Sequence, residues 1–172
     1  MFKKLMTSVL ALSMLLLSGC SGNSSSTDQP AVRTPEELTS IYAEAIAANG
    51  GEMVEYNPVL SEFNEENAML LEMMGLKEED MTAFGVSTTM MNVKAYGIAA
   101  VMPAEGKTDA VTESLQGFID RKQQEFEFYL PDQRPVAENA RLETLEDGTV
   151  LMVMMENQDT VFDNISKAIL DQ

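Results

Sequence analysis

A chain of 172 residues, 45% apolar, can close one sound hydrophobic core without disulfide staples. Its 11 basic and 28 acidic residues leave a net charge of −17, a field that repels phosphate and argues against nucleic acid as a partner. With no histidine and a single cysteine, the composition excludes Ser-His-Asp and Cys-His mechanisms, His-type zinc sites and any internal disulfide.

The chain opens with Lys3 and Lys4, followed by an apolar run from Leu5 to Leu17 broken only by Thr7, Ser8 and Ser13. That run is too short for a spanning helix, which needs about 20 apolar residues, and has the form of a secretory signal. It ends in Leu17-Ser18-Gly19-Cys20. This ending resembles the bacterial lipoprotein signal. The resemblance implies cleavage between Gly19 and Cys20, diacylglycerol on the Cys20 thiol and a place at the outer face of the cell membrane. Two acyl chains give stable anchoring where one does not. Thioether formation also consumes the only thiol. Loss of residues 1–19 removes two of the 11 basic residues and no acid, which leaves 9 against 28, or −19. Residues 20–33 then form the lipidated cysteine and a Ser-rich tether. Its composition cannot offset the entropy of ordering, and 13 flexible residues reach about 20 Å.

Residues 34–172 read as one globular α+β domain. Thr34, Pro35 and Glu37 form a helix start with a capping box. Leu38, Ile41, Tyr42, Ala45 and Ile46 follow at helical spacing until Asn49-Gly50-Gly51. A second helix is expected from Asn64 to Met74, burying Met69, Leu70, Met73 and Met74, with one further turn over Lys77–Met81. The period then changes. Phe84–Met91 and Val93–Met102 read as strands joined by a tight turn near Met91-Asn92, and Pro103 ends the second. The longest helix, Thr108–Tyr129, carries Val111, Leu115, Phe118, Ile119, Phe126 and Leu130 on its buried stripe and Arg121, Lys122, Gln123 and Glu125 on its wet face. Pro131 stops it. Ala140–Leu145 and Thr149–Met155 form a hairpin around Asp147-Gly148. A last helix over Asp159–Leu170 presents Val161, Ile165 and Ile169. After two leading helices the order is β-β-α-β-β-α, which predicts a four-stranded antiparallel sheet with helices packed on one face.

From Met74 onward, several runs carry a family resemblance. They are Gly75-Leu76 with Glu78-Glu79-Asp80, Met91-Asn92-Val93-Lys94-Ala95, Phe126-Glu127-Phe128-Tyr129-Leu130-Pro131-Asp132-Gln133, and the Gly148-centred hairpin. Over about 100 residues the chain resembles the domain of unknown function 4358 of Firmicutes lipoproteins. Tyr129, Pro131 and Gln133 are the family-motif candidates for a surface feature. The family tends to place acids after Ala95, where this chain has Tyr96 and Gly97.

Other constellations have plainer accounts. Fourteen methionines suit Cu(I) by ligand type, but without histidine or a free thiol core packing accounts for them. Glu78, Glu79 and Asp80 lack the Asp-x-Asp-x-Asp-Gly loop of a calcium site and fit a solvated helix start. Ser87, Thr88 and Thr89 have only Lys94 as a base and fit a strand. No metal ligands, catalytic residues or cofactor are therefore assigned. The expected function is a non-catalytic binding or accessory lipoprotein, with a protein, peptide or cell-wall partner of cationic character. The alternatives are a hydrolase of wall material using carboxylates alone, and a binder of small solutes or metals. The hydrolase requires two convergent acids in a concave pocket, about 5–10 Å apart.

Overall fold

A computed structural model describes residues 33–172. The expected leader, Gly19, Cys20 and all but the last residue of the expected tether lie outside the described residues. Thr34 opens helix α1 (Pro35–Asn49): its hydroxyl accepts from the Glu37 N–H at 3.2 Å, and the Glu37 carboxylate accepts from the Thr34 N–H at 2.8 Å. This reciprocal cap satisfies two of the donors a helix start leaves orphaned. Helix α2 (Glu52–Tyr56) follows, then α3 (Glu65–Met73), whose Asn64 side chain caps two N–H groups. A single 3-10 turn, Glu78–Asp80, leads into strand β1 (Met81–Thr88). Next come β2 (Gly97–Pro103), α4 (Thr108–Phe126), α5 (Arg134–Glu138), β3 (Arg141–Thr144), β4 (Val150–Met154) and α6 (Gln158–Leu170).

The fold is α+β, with a four-stranded antiparallel sheet in the order β1-β2-β4-β3. The two hairpins lie side by side with their second strands in the middle. Gly97 therefore faces Thr88 on one side and Met154 on the other.

The helices were expected on one face of this sheet; they cover both. Ala99, Val101, Val150, Met152 and Met154 point into a core closed by Leu71 and Met74 and by the α4 residues Val111, Leu115, Phe118, Ile119 and Phe126. Ile98, Ala100, Leu151 and Val153 point into a second core, closed by Leu38, Tyr42 and Ile46 of α1 and Phe162, Ile165 and Ile169 of α6. The reason is the composition of the two central strands. Gly97–Val101 and Val150–Met154 are buried at every residue, so each face needs a cover. Each large aliphatic side chain so buried contributes about 1.5–3 kcal/mol. Helix α1 lies tight on β1: a Cβ at Gly85 would stand 2.9 Å from the Tyr42 Cβ.

Three local expectations are corrected. The turn at Met91-Asn92 is an eight-residue loop, Thr89–Tyr96, whose polar groups bond to side chains rather than to a ladder. Met69 is exposed, and Leu71 takes its place in the core. Lys122, expected on the wet face of α4, is 7% exposed. Its stem runs between Phe118 and Phe126, with the ammonium 5.8 and 5.9 Å from their ring centres, and its charge is satisfied by Glu125 at 2.8 Å and Asn92 at 3.0 Å.

Strand directions sort the loops into two ends. The β3–β4 turn, the start of α1 and the end of α6 share one end. There Arg33 donates to the carbonyls of Ile169 at 3.0 Å and Gln172 at 2.9 Å, and lies 3.8 Å from the Asp147 carboxylate. Arg33, expected to close the tether, is thus fastened to the fold. The β1–β2 loop, the end of α2 and the β4–α6 junction meet at the opposite end, the length of β4, about 16 Å, away.

Candidate functional site

At the end opposite Arg33 lies an open cavity of about 400 Å³, within the size range of small-ligand sites. Helix α2 supplies Glu52, Met53 and Tyr56; the β1–β2 loop supplies Lys94, Ala95 and Tyr96; Gln133 comes from the approach to α5, and Met155, Glu156 and Asn157 from the β4–α6 junction.

Its floor is fixed by buried polar bonds. Ser87 donates to the Asn57 carbonyl at 2.6 Å, which uses its only hydroxyl proton. Tyr96, also 2.6 Å from the Ser87 hydroxyl, must therefore donate to it. Burial pushes the Tyr96 phenol up to about 12, so it stays a neutral donor. Gln133 is buried and accepts from the Ala95 N–H at 3.1 Å, which pins the end of the β1–β2 loop. Lys122 pins the middle of the same loop through Asn92.

The lip carries the strained residue of the fold. Asn157, with φ of 61°, is the one non-glycine residue in the left-handed region among the described residues. Asparagine tolerates that region better than most, and such conformations cluster at ligand sites. Exposed apolar side chains are concentrated in the segments of this end. Eight large apolar side chains stand exposed among the described residues, and six belong to this end: Tyr56, Met90, Met91, Val93, Phe128 and Tyr129. Phe128 is 88% exposed and Tyr56 81%. Tyr56 lines the cavity itself, and each of the others lies within five residues in the chain of a lining residue.

The basic residues of this end are already engaged. Lys94 pairs with Glu156 at 3.1 Å, Lys122 with Glu125, and Arg134 with Glu127 at 3.2 Å and Glu138 at 2.7 Å. Among the described residues Glu52 has no cationic partner.

Of the three family-motif candidates, Gln133 lines the cavity, while Tyr129 and Pro131 are exposed and do not line it. Ser87 and Lys94 are not brought together, because the Ser87 hydroxyl is held by Asn57 and Tyr96 and Lys94 by Glu156. Glu78 and Glu79 are exposed, whereas Asp80 is buried and pairs with Lys107 at 2.7 Å. No group of three acidic or cysteine side chains placed to hold a metal ion occurs among the described residues. Tyr56, Glu52, Glu156 and Asn157 were missed by sequence reasoning. They come from separate segments that only the fold unites, and none sits in a motif.

No curated protein and no solved structure matches the chain. The sequence profile of a domain of unknown function, DUF4358, matches residues 58–155. The matched stretch holds the whole sheet, α3, α4 and α5, with the cavity residues Lys94, Ala95, Tyr96, Gln133 and Met155; α1, α2 and α6 lie outside it. It spans more than half of the chain, which therefore belongs to the DUF4358 family.

Proposed function

We propose that this chain is a lipid-anchored extracytoplasmic binding module of the Firmicutes lipoprotein type, held through Cys20 and engaging its partner at the cavity end. One observation carries the binding half of this reading. Six of the eight exposed large apolar side chains among the described residues belong to the segments that meet at the cavity end, and one of them, Tyr56, lines the cavity. Single apolar residues are ordinary on a surface, but their concentration at one end, beside a cavity, favours that end as an interaction site. The address rests on the Leu17-Ser18-Gly19-Cys20 run and on Arg33, which fixes the start of the fold at the other end. No described helix is long and apolar enough to cross a membrane.

The carboxylate-only hydrolase receives less support. A general acid among carboxylates needs a desolvated carboxyl group. The two acids lining the cavity, Glu52 and Glu156, are exposed, and Glu156 is paired with Lys94.

Two measurements test the proposal. Cys20→Ala moves the protein from the membrane fraction to the soluble fraction; retention in the membrane rejects the anchor. Affinity capture from native membranes is then compared between the wild type and a Phe128→Ser/Tyr129→Ser variant. Both side chains are exposed, so the variant keeps its core. A partner held only by the wild type is expected, and identical recovery by both rejects the cavity end as the binding surface.

A further inference from the structure

We infer that the occupant of this end is a basic peptide segment. One of its apolar side chains enters the cavity, and its neighbouring Lys or Arg side chains meet Glu52 and Glu156. The inference rests on the binding reading above and specifies the chemistry of the partner.

The argument is one of charge and shape together. Met53, Tyr56 and Met155 give the cavity apolar wall, exposed apolar side chains stand on the segments of the same end, and the cavity has room for one large side chain. Apolar contact alone does not choose a partner; the charges around it do. An anionic segment arriving here meets Lys94, Lys122 and Arg134, each already neutralised by glutamate, and gains no cation. It also pays the repulsion of a chain at −17. A cationic segment finds Glu52 with no cationic partner among the described residues. It can also take over Glu156 from Lys94, because that pair lies in the open, where an ion pair is worth under about 1 kcal/mol. A second copy of the chain would bring acid against acid. A lipid surface with anionic headgroups would be repelled likewise, and it lies toward the end fixed by Arg33 if the anchor is Cys20. A basic partner is also steered in by the field of the whole molecule.

The test is a selection of random heptapeptides against the full chain in detergent micelles. Enriched sequences are expected to carry one aromatic or large aliphatic residue with Lys or Arg within two positions. The synthetic peptide of the enriched sequence should lose about tenfold in affinity on Glu52→Gln/Glu156→Gln. It should lose at least as much when salt is raised from about 50 to 500 mM, where the Debye length falls well below the rim dimensions. Both carboxylates are exposed, so the double variant should keep the melting temperature of the wild type. Phe128→Ser/Tyr129→Ser should weaken the same peptide. Enrichment of acidic or uncharged sequences overturns the inference, as does no enrichment, or binding that ignores the two glutamates. In each of those cases a partner captured from native membranes and lost with the Phe128→Ser/Tyr129→Ser variant still supports the binding module. Failure of the charge rule and failure of the module are thus told apart.

Discussion

Two of the four tyrosines are buried with their hydroxyls bonded, Tyr42 to Thr149 at 2.7 Å and Tyr96 to Ser87. Burial raises both phenols, Tyr96 to about 12 from 10.0, and Tyr42 in the same direction against the opposing bond from Thr149. A raised phenol binds its proton more tightly in the folded state than in the unfolded one. The associated stability is therefore complete below pH 10, where both states are protonated, and is lost as pH rises from 10 through the folded values. For Tyr96 the loss is on the order of 3 kcal/mol when complete. With Tyr56→Phe and Tyr129→Phe in place, only the buried pair is left to absorb. Absorbance of the phenolate near 295 nm should then rise together with the loss of circular dichroism, above pH 10. Ionisation of Tyr96 at ordinary pH in a folded protein would remove the buried donor from the cavity floor.

At the level of elements, the β1–β2 loop shows how the cavity is held open. Two residues staple it from outside, Gln133 at the Ala95 N–H and Lys122 at the Asn92 side chain, and the two should fail differently. Gln133→Leu leaves a buried N–H without an acceptor, which costs about 1–3 kcal/mol and lowers the stability of the whole fold. Lys122→Met keeps the stem between Phe118 and Phe126, and Glu125 stays solvated once its partner is gone. Global stability should then change by less than about 1 kcal/mol, while hydrogen exchange of the loop amides 89–94 rises several-fold. Equal protection of the loop in Lys122→Met and wild type would show that Asn92 does not need the lysine. Neither staple is a pattern a strand or helix period can reveal. Lys122 sits in a run with Arg121, Gln123 and Glu125 that looks uniformly wet, and its burial depends on Asn92 arriving from 30 positions away. Helices α2 and α5, five residues each, are too short for a period to register. The four strands, their pairing into hairpins and the long helices were legible because apolar spacing and the Asp147-Gly148 and Pro131 signals repeat the physics that forms them. The second helical layer was missed, although its signal stood in the unbroken apolar runs Ile98–Val101 and Val150–Met154, which a sheet with one wet face would not carry. The motif around Tyr129 contains Gln133, which lines the cavity, but the residues that make the lip, Tyr56 and Asn157, carry no local sign of meeting it.

For the whole molecule, the consequence is one of direction. Arg33 binds the end of α6 and lies beside the β3–β4 turn, so the first described residue is held at the end away from the cavity. If Cys20 bears the lipid, the membrane pulls on that end, and the acidic surface resists lying flat on anionic headgroups. Placing one fluorophore on Glu146→Cys, in the β3–β4 turn, and in a second variant on Phe128→Cys, on the rim, tests this in vesicles. Both positions are exposed, and the proposed lipidation of Cys20 would leave the introduced cysteine as the only free thiol. A nitroxide carried by the lipid headgroup should quench the Glu146→Cys label more strongly than the Phe128→Cys label, because the two ends stand about 16 Å apart along β4 and quenching is short-ranged. Equal quenching would mean that the fold has no preferred orientation above the bilayer. Labelling of the wild-type chain at Cys20 itself would remove the anchor and with it the reason for any orientation. With the proposed anchor, the expected order leaves the exposed apolar side chains of the cavity end and the acids beside the cavity facing away from the lipid, where a basic segment of another molecule could reach them while the anchor stays in place.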